Sequence, residues 1–439
     1  MVRLLDAALL GAVLLSSAVN AVDKIIQDCG SSLGARCPES KPCCSQYGQC
    51  GVGAFCLGGC DPKWSLTKDY CVPHPTCKSK VSRFPNDKSV ISKLKYLGDA
   101  SKHDWVLEGA AVYHDNQIIL TMPKNSAGAV LSSTEYVWYG KISATLRTSR
   151  GAGVVSSFIT MSDMKDEIDF EWIGDNLQKT ESNWYWQGVP DYTHGGKHEV
   201  KDTFASFHTY EIDWQPEMVR WSIDGKELRR LEKKSTYNET SKTYQFPQTP
   251  SRVQLSLWPG GLESNAEGTV KWAGGYIDWD NHVDMKTNGY YSVIVKEISI
   301  ECYNPPANAQ KKGDKAYTYS SERGLEADVV ISNEQTVLKT LIGTGMNMTA
   351  DDATGLEGVE TIPGLSSAGT GATSVSKDRE EQTSNDGSSG SGSSSGTGRA
   401  VGPGGFSQNL ENDKSEAPAN KMQGSMFAII IAVAAIIVI

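Results

Sequence analysis

The chain has 439 residues and no excess of positive charge: 42 Lys and Arg stand against 52 Asp and Glu, a net charge of −10. Nucleic-acid binders present a basic face to phosphate, and this composition offers no such footprint. No apolar run reaches the roughly 20 residues of an ordinary membrane-spanning helix. No glycine loop has phosphate-cradling spacing. His194 and His198 lie four apart, but no third ligand with suitable spacing follows, so neither a metal nor a cofactor is expected. Between residues 80 and 303 there is no long amphipathic helical period, which excludes a helix bundle.

What is present begins at the two ends. The N-terminus reads "MVRLLDAALLGAVLLSSAVNAVDK", with Arg3, an apolar stretch from Ala7 to Leu15, and small residues before Ala21. This is the pattern of a secretory signal over 1–21. The C-terminus reads "MFAIIIAVAAIIVI", residues 426–439, behind the polar spacer "PANKMQGS" and small residues around Ser415 and Ala417. A signal combined with such a tail is the pattern of a glycosylphosphatidylinositol (GPI)-anchored chain whose tail is removed, with Ser415 the expected attachment residue. Residues 344–425 include "SNDGSSGSGSSSGTGRAVGPGG". Such composition cannot bury enough apolar surface to fold, so a flexible stalk is expected. Asn238 and Asn347 each head an Asn-x-Thr acceptor for glycosylation.

Secretion predicts oxidised cysteines. Nine of the ten lie between residues 29 and 77, seven of them within 29–60, and no Cys-x-x-Cys pair suggests zinc. So short a segment cannot build a self-sufficient core and must be held by crosslinks. The stretch "CGSSLGARCPESKPCCSQYGQCGVGAFC" resembles the hevein-like chitin-binding module, expected over 26–77. The resemblance implies the pairings Cys29–Cys44, Cys37–Cys50 and Cys43–Cys56. It also implies a shallow N-acetylglucosamine site in which Ser45, Tyr47 and Phe55 contact the sugar. Gln49 stands where such modules usually carry a second aromatic. Cys60, Cys71, Cys77 and Cys302 allow three connectivities, which stay open.

From about 80 to 303 short alternating runs such as "GKISATLRTS", "VVSSFITMS" and "VQLSLW" are separated by Gly, Asn, Asp and Pro. They predict an all-β domain, an antiparallel jelly-roll sandwich. Trp184, Trp186, Trp214, Trp221, Trp258, Trp272 and Trp279 are more indoles than one core plausibly needs. Some are therefore expected to line a groove for sugar rings.

Residues 166–172 read "DEIDFEW". On a strand, Glu167, Asp169 and Glu171 share one face. The alternation could mark no more than a half-buried strand with a wet outer face. It could equally be a carboxylate set for glycoside chemistry. Crowded acids resist full ionisation, so one proton is retained at a pH where an isolated Glu would lose it, and a general acid needs that proton. Glu167 and Glu171 α-carbons lie about 13 Å apart on a straight strand, and long inward-leaning side chains could approach the ~5–5.5 Å of a retaining carboxyl pair.

"DEIDFEW", "FHTYEIDWQPEMVRWSIDGK" (207–226) and "SRVQLSLWPGGLESNAEGTVKWAGG" (251–275) together resemble the family-16 glycoside hydrolases, and more closely the fungal Crh-type cell-wall transglycosylases. The resemblance implies a concanavalin A-like jelly roll with a sugar cleft. It implies Glu167 as nucleophile, Asp169 as its assistant and Glu171 as acid/base, with sugar contacts from Glu171, Arg252, Trp258 and Thr269. Its implied function is cleavage of β-1,4-linked chitin and transfer to β-glucan or chito-oligosaccharide acceptors, at the outer face of the plasma membrane and in the cell wall. A plain β-glycan hydrolase and a non-catalytic surface lectin are the alternatives. Residues 304–343 carry no expected role.

Overall fold

The computed structural model describes residues 27–351, 361–363, 400–401 and 407–408. The expected signal segment, Ser415, the apolar tail and nearly all of the Gly/Ser-rich stretch lie outside the described residues. No helix among the described residues is long and apolar enough to cross a membrane.

Two antiparallel-dominated sheets form a sandwich. One runs, in spatial order, through strands Lys226–Glu232, Met218–Ile223, His208–Gln215, Gly140–Arg147, Tyr290–Cys302, Gln117–Pro123 and Ala110–His114, with Lys80–Ser82 also paired to Tyr290–Cys302. The other runs Gly196–Glu199, Lys179–Tyr185, Glu167–Ile173, Val154–Ser162, Ser251–Pro259, Ala129–Val137, Trp105–Glu108 and Val90–Ser92. The period-2 pattern explains the packing: Ile168, Phe170 and Trp172 face inward from Glu167–Ile173 and meet Tyr210, Ile212, Trp214 and Trp221 of the opposing sheet in one core. At about 1.5–3 kcal/mol per large apolar side chain, this core supplies the main driving force for folding.

The cysteine segment folds around its crosslinks. Cys29 bonds Cys44, Cys37 bonds Cys50 and Cys43 bonds Cys56. The open connectivity resolves into Cys60–Cys71 within the module and Cys77–Cys302, which ties the linker to the end of the sandwich's last strand. Beyond two short 3-10 turns, Gly53–Phe55 and Lys68–Tyr70, and short β-pairings the module has little regular structure, as expected where disulfides replace a core.

Residues 304–343 belong to the folded body. Strands Gln310–Lys311, Val329–Ser332 and Ala316–Tyr319 form a small sheet that continues onto His74–Pro75 of the linker. The chain then passes over the module: Gly343 carbonyl accepts from Gly53 N–H (2.9 Å), and Leu338 enters the module's apolar cluster. The expected stalk boundary at 344 is too early. Thr344 is buried, Gly345 N–H donates to Tyr70 carbonyl (2.8 Å), and Thr361 carbonyl accepts from Ala54 N–H (2.9 Å).

Candidate active site

Strands Val154–Ser162 and Glu167–Ile173 form a hairpin whose turn is set by Asp166 and Lys165. Lys165 adopts φ +67°, and Asp166 is fully buried. Its carboxylate accepts from Gln187 N–H (3.0 Å), Gln248 N–H (3.0 Å), Thr249 N–H (3.0 Å) and the Thr249 hydroxyl (2.6 Å). These bonds pin the start of the triad strand. Burial nonetheless holds the Asp166 carboxyl up at about 6, because four donors only partly replace its water.

With Ile168, Phe170 and Trp172 in the core, Glu167, Asp169 and Glu171 must face the opposite side. Glu167 and Glu171 keep part of their surface open, whereas Asp169 between them is buried. The strand is also held from behind, where the Trp221 indole N–H donates to the Asp169 backbone carbonyl (3.0 Å). Burial raises the carboxyl of Glu171 well above the usual range, and the charges of Asp169 and Glu167 push it further. Burial and then Asp169 raise Glu167, while the nearby Lys165 ammonium opposes them. Asp169 is lifted to about 7 by burial, against the Asn183 backbone N–H and the Arg229 charge. The three acids therefore share protons rather than all ionising near neutrality.

The neighbouring strands complete the face. Ser157, directly opposite Glu171, donates to its carboxyl (3.1 Å), and the Trp258 indole N–H donates to Ser157 Oγ (3.1 Å). On the other side Tyr185, Asn183 and Glu181 stand opposite Glu167, Asp169 and Glu171. Glu181 is held by Lys197 (2.8 Å) and by the Trp272 indole (3.1 Å). Sequence reasoning missed these three, although "KTESNWY" carries the same alternation as the triad strand and follows it directly.

Several expected sugar contacts are displaced. Trp258 is 1% exposed, stacked on Trp272 with ring centroids 6.0 Å apart. It offers no open stacking face, and its indole N–H bonds the Ser157 that holds Glu171. Thr269 is 2% exposed in helix Glu267–Trp272. Arg252 is 6% exposed because the module sits on it: Gln46 Oε1 accepts from its guanidinium (2.9 Å), and a Cβ at Gly58 would come within 2.7 Å of Arg252 Nη1. Of the seven tryptophans, Trp184, Trp214, Trp221 and Trp258 are buried, which leaves Trp186, Trp272 and Trp279 partly open.

The expected face of the module is buried too. Ser45 Oγ is occupied by its own turn, accepting from the Tyr47 and Gln49 N–H groups (3.3 Å each). Tyr47 is 6% exposed, its hydroxyl donating to Glu108 (3.0 Å) and its ring under the Lys93 ammonium (4.9 Å). Phe55 is 1% exposed among Leu57, Tyr96, Val106 and Leu338. Tyr47 and Phe55 contact the sandwich and Ser45 is buried in its own turn, so the face implied to bind sugar is covered. Of the acceptor asparagines, Asn347 is exposed and Asn238 half-buried. The sulfurs of Cys29, Cys37 and Cys50 lie within 4.8 Å of one another but are all disulfide-bonded, and so have no thiolate to offer a metal.

A sandwich that presents three proton-sharing carboxylates in alternation on one strand has the makings of a glycoside-processing enzyme. Residues 99–274 match "Glycosyl hydrolases family 16". The chain is 53% identical over 320 residues to "Crh-like protein 2" of Aspergillus fumigatus, covering 72% of each. It is 40% identical over 420 residues to "Crh-like protein UTR2" of Candida albicans, covering 90% of this chain and 88% of that one. The solved "Apo Crh5 transglycosylase" is similar at 30% identity and a TM-score of 0.49, over 62% of this chain and 99% of that one. The chain belongs to the Crh-like proteins of glycosyl hydrolase family 16.

Proposed function

We infer that the protein is a retaining transglycosylase that cleaves β-1,4-linked chitin and hands the glycosyl unit to a β-glucan or chito-oligosaccharide hydroxyl. The observation that carries this reading is the unequal setting of the two outer acids. Glu171 faces three acidic neighbours, Asp169, Glu167 and Glu181, whereas Glu167 has the Lys165 charge on its side. The retained proton is therefore favoured on Glu171 and the negative charge on Glu167.

Glu167 carboxylate attacks the anomeric carbon while Glu171 gives its proton to the departing glycosidic oxygen, and a glycosyl–Glu167 ester forms. Asp169 lies between them and orients Glu167 through a shared proton. In the second half Glu171, now ionised, takes the proton of an acceptor hydroxyl as that oxygen attacks the anomeric carbon and Glu167 leaves. An acceptor sugar must outcompete water at about 55 M, which positioning by groove contacts makes possible. Tyr185 and Asn183, opposite Glu167 and Asp169, and Trp272, bonded to Glu181, are the residues we propose for this. Export, GPI attachment at Ser415, and glycosylation at Asn238 and Asn347 complete the proposal, with the enzyme acting at the plasma membrane's outer face and in the wall.

The test is incubation of the secreted ectodomain with a chito-oligosaccharide donor and a fluorescent laminari-oligosaccharide. Mass-shifted labelled hybrids are expected, and they disappear in Glu167→Gln. Shortened donor without hybrids would make the protein a hydrolase. Binding without any cleavage would make it a lectin.

A further inference from the structure

Glycan lying across the triad strand has two directions to run, and they differ. Toward Lys179–Tyr185 the face stays open: Glu181, Asn183 and Tyr185 are partly exposed, and Lys197 beyond them is exposed. Toward Ser251–Pro259 and Ala129–Val137 the same face is roofed. Arg252, Gln254 and Tyr136 are buried there, with Gln46 Oε1 against Arg252 (2.9 Å) and Gln254 (3.4 Å). Gly59 N–H donates to Asp163 (3.1 Å), which also accepts from the Tyr136 hydroxyl (2.9 Å) and pairs with His74 (2.9 Å). Lys165 Nζ donates to Gln46 carbonyl (3.0 Å), and Tyr47 reaches Glu108 on the next strand but one.

We propose that the cysteine module is a permanent end wall of the catalytic groove, built by turning its ancestral sugar-binding face onto the sandwich. It is not a tethered chitin anchor; chitin is gripped only in the groove. Adjacent strands lie about 4.8 Å apart, so the roof over Ser251–Pro259, two strands from the triad strand, begins about 10 Å away on that side, while at the hairpin end the module already reaches Lys165, and Lys63 of the module bonds Gln187. A glycan that runs farther must turn out over the wall.

Three features make the wall fixed. Four disulfides leave the module no slack, and a fifth, Cys77–Cys302, anchors its linker. Phe55, Leu57, Tyr96, Val106 and Leu338 form one buried cluster across the junction. Residues 336–349 close over the module from outside, with Gly53 at φ +63° so close to the strap that a Cβ would come within 1.9 Å of Leu341 carbonyl oxygen.

This inference rests on the chitin reading above, and native-state hydrogen exchange of the full ectodomain, alone and with chitohexaose on the Glu167→Gln protein, separates the two. In the free protein, amides of 43–58 should exchange as slowly as those of the sandwich core. Chitohexaose should protect 167–187 and leave 43–58 unchanged. Gly53→Ala should speed exchange of 43–58 by roughly tenfold or more while 167–173 stays slow. Exchange in free 43–58 much faster than in the core, or a change there when chitohexaose binds, would overturn the wall. Absence of any chitohexaose footprint would instead count against the chitin reading, while exchange in the free protein would still decide the wall.

Discussion

Two surfaces for which the sequence implies sugar contacts meet in this molecule, and they end in opposite states. The triad strand buries its apolar face in a large core and leaves Glu167 and Glu171 partly open. The cysteine module has no comparable core, so its few apolar side chains are worth more against the sandwich than in water, and Tyr47 and Phe55 are buried there. An alternating strand can keep a functional face free because its other face supplies the stability. A small crosslinked unit has one good face, and here docking uses it. What a motif does thus depends on what covers it.

The sharpest way to break this contrast is at its open surface. Glu167→Gln keeps the shape of the side chain but removes the nucleophile, and transfer should fall by about 10³-fold or more with the melting temperature little changed. A comparable loss of thermal stability would make Glu167 structural. The covered surface predicts the reverse: replacing Cys43 and Cys56 with Ser should cost about 2–5 kcal/mol of module stability. Denaturant unfolding followed at Trp64, which packs against Cys29, Cys37, Cys44 and Cys50 of the module, would show this, and unchanged unfolding would mean that docking alone holds the module.

Ser157→Ala probes the triad more gently. Ser157 donates to Glu171 and favours its ionised form. Its loss should raise the Glu171 carboxyl further, move the alkaline limb of the kcat/KM profile to higher pH and slow transfer by less than about tenfold. A limb that stays in place would assign it to another group.

The smallest effect is on stability against pH. Asp169 sits at about 7 in the fold, above its ordinary value of 3.8, so the folded state disfavours its ionisation. Its contribution is therefore fully present at low pH and lost as pH rises from about 4 through about 7. Asp169→Asn should flatten that decline in melting temperature, and an unchanged slope would place the proton elsewhere in the triad.

The triad strand was legible because period-2 alternation survives in any half-buried strand, and the jelly roll because its runs and turns are local signals. The three module disulfides followed from the family resemblance. Burial of Arg252, Tyr47 and Phe55 was not legible, since it depends on Gln46 meeting a residue 206 positions away. The role of 304–343 was hidden for the same reason: its strands are two to four residues long and pair with His74–Pro75 far upstream. Trp258 looked like a stacking platform, but helix Glu267–Trp272 brings Trp272 over it, and no periodicity in either segment announces that contact.

The most direct test of the central claim is rapid-quench mass spectrometry of the ectodomain during turnover of a chito-oligosaccharide. A glycosyl adduct is expected on the peptide carrying Glu167, absent in Glu167→Gln and discharged by added acceptor. Turnover with no adduct, or an adduct on another residue, would contradict it.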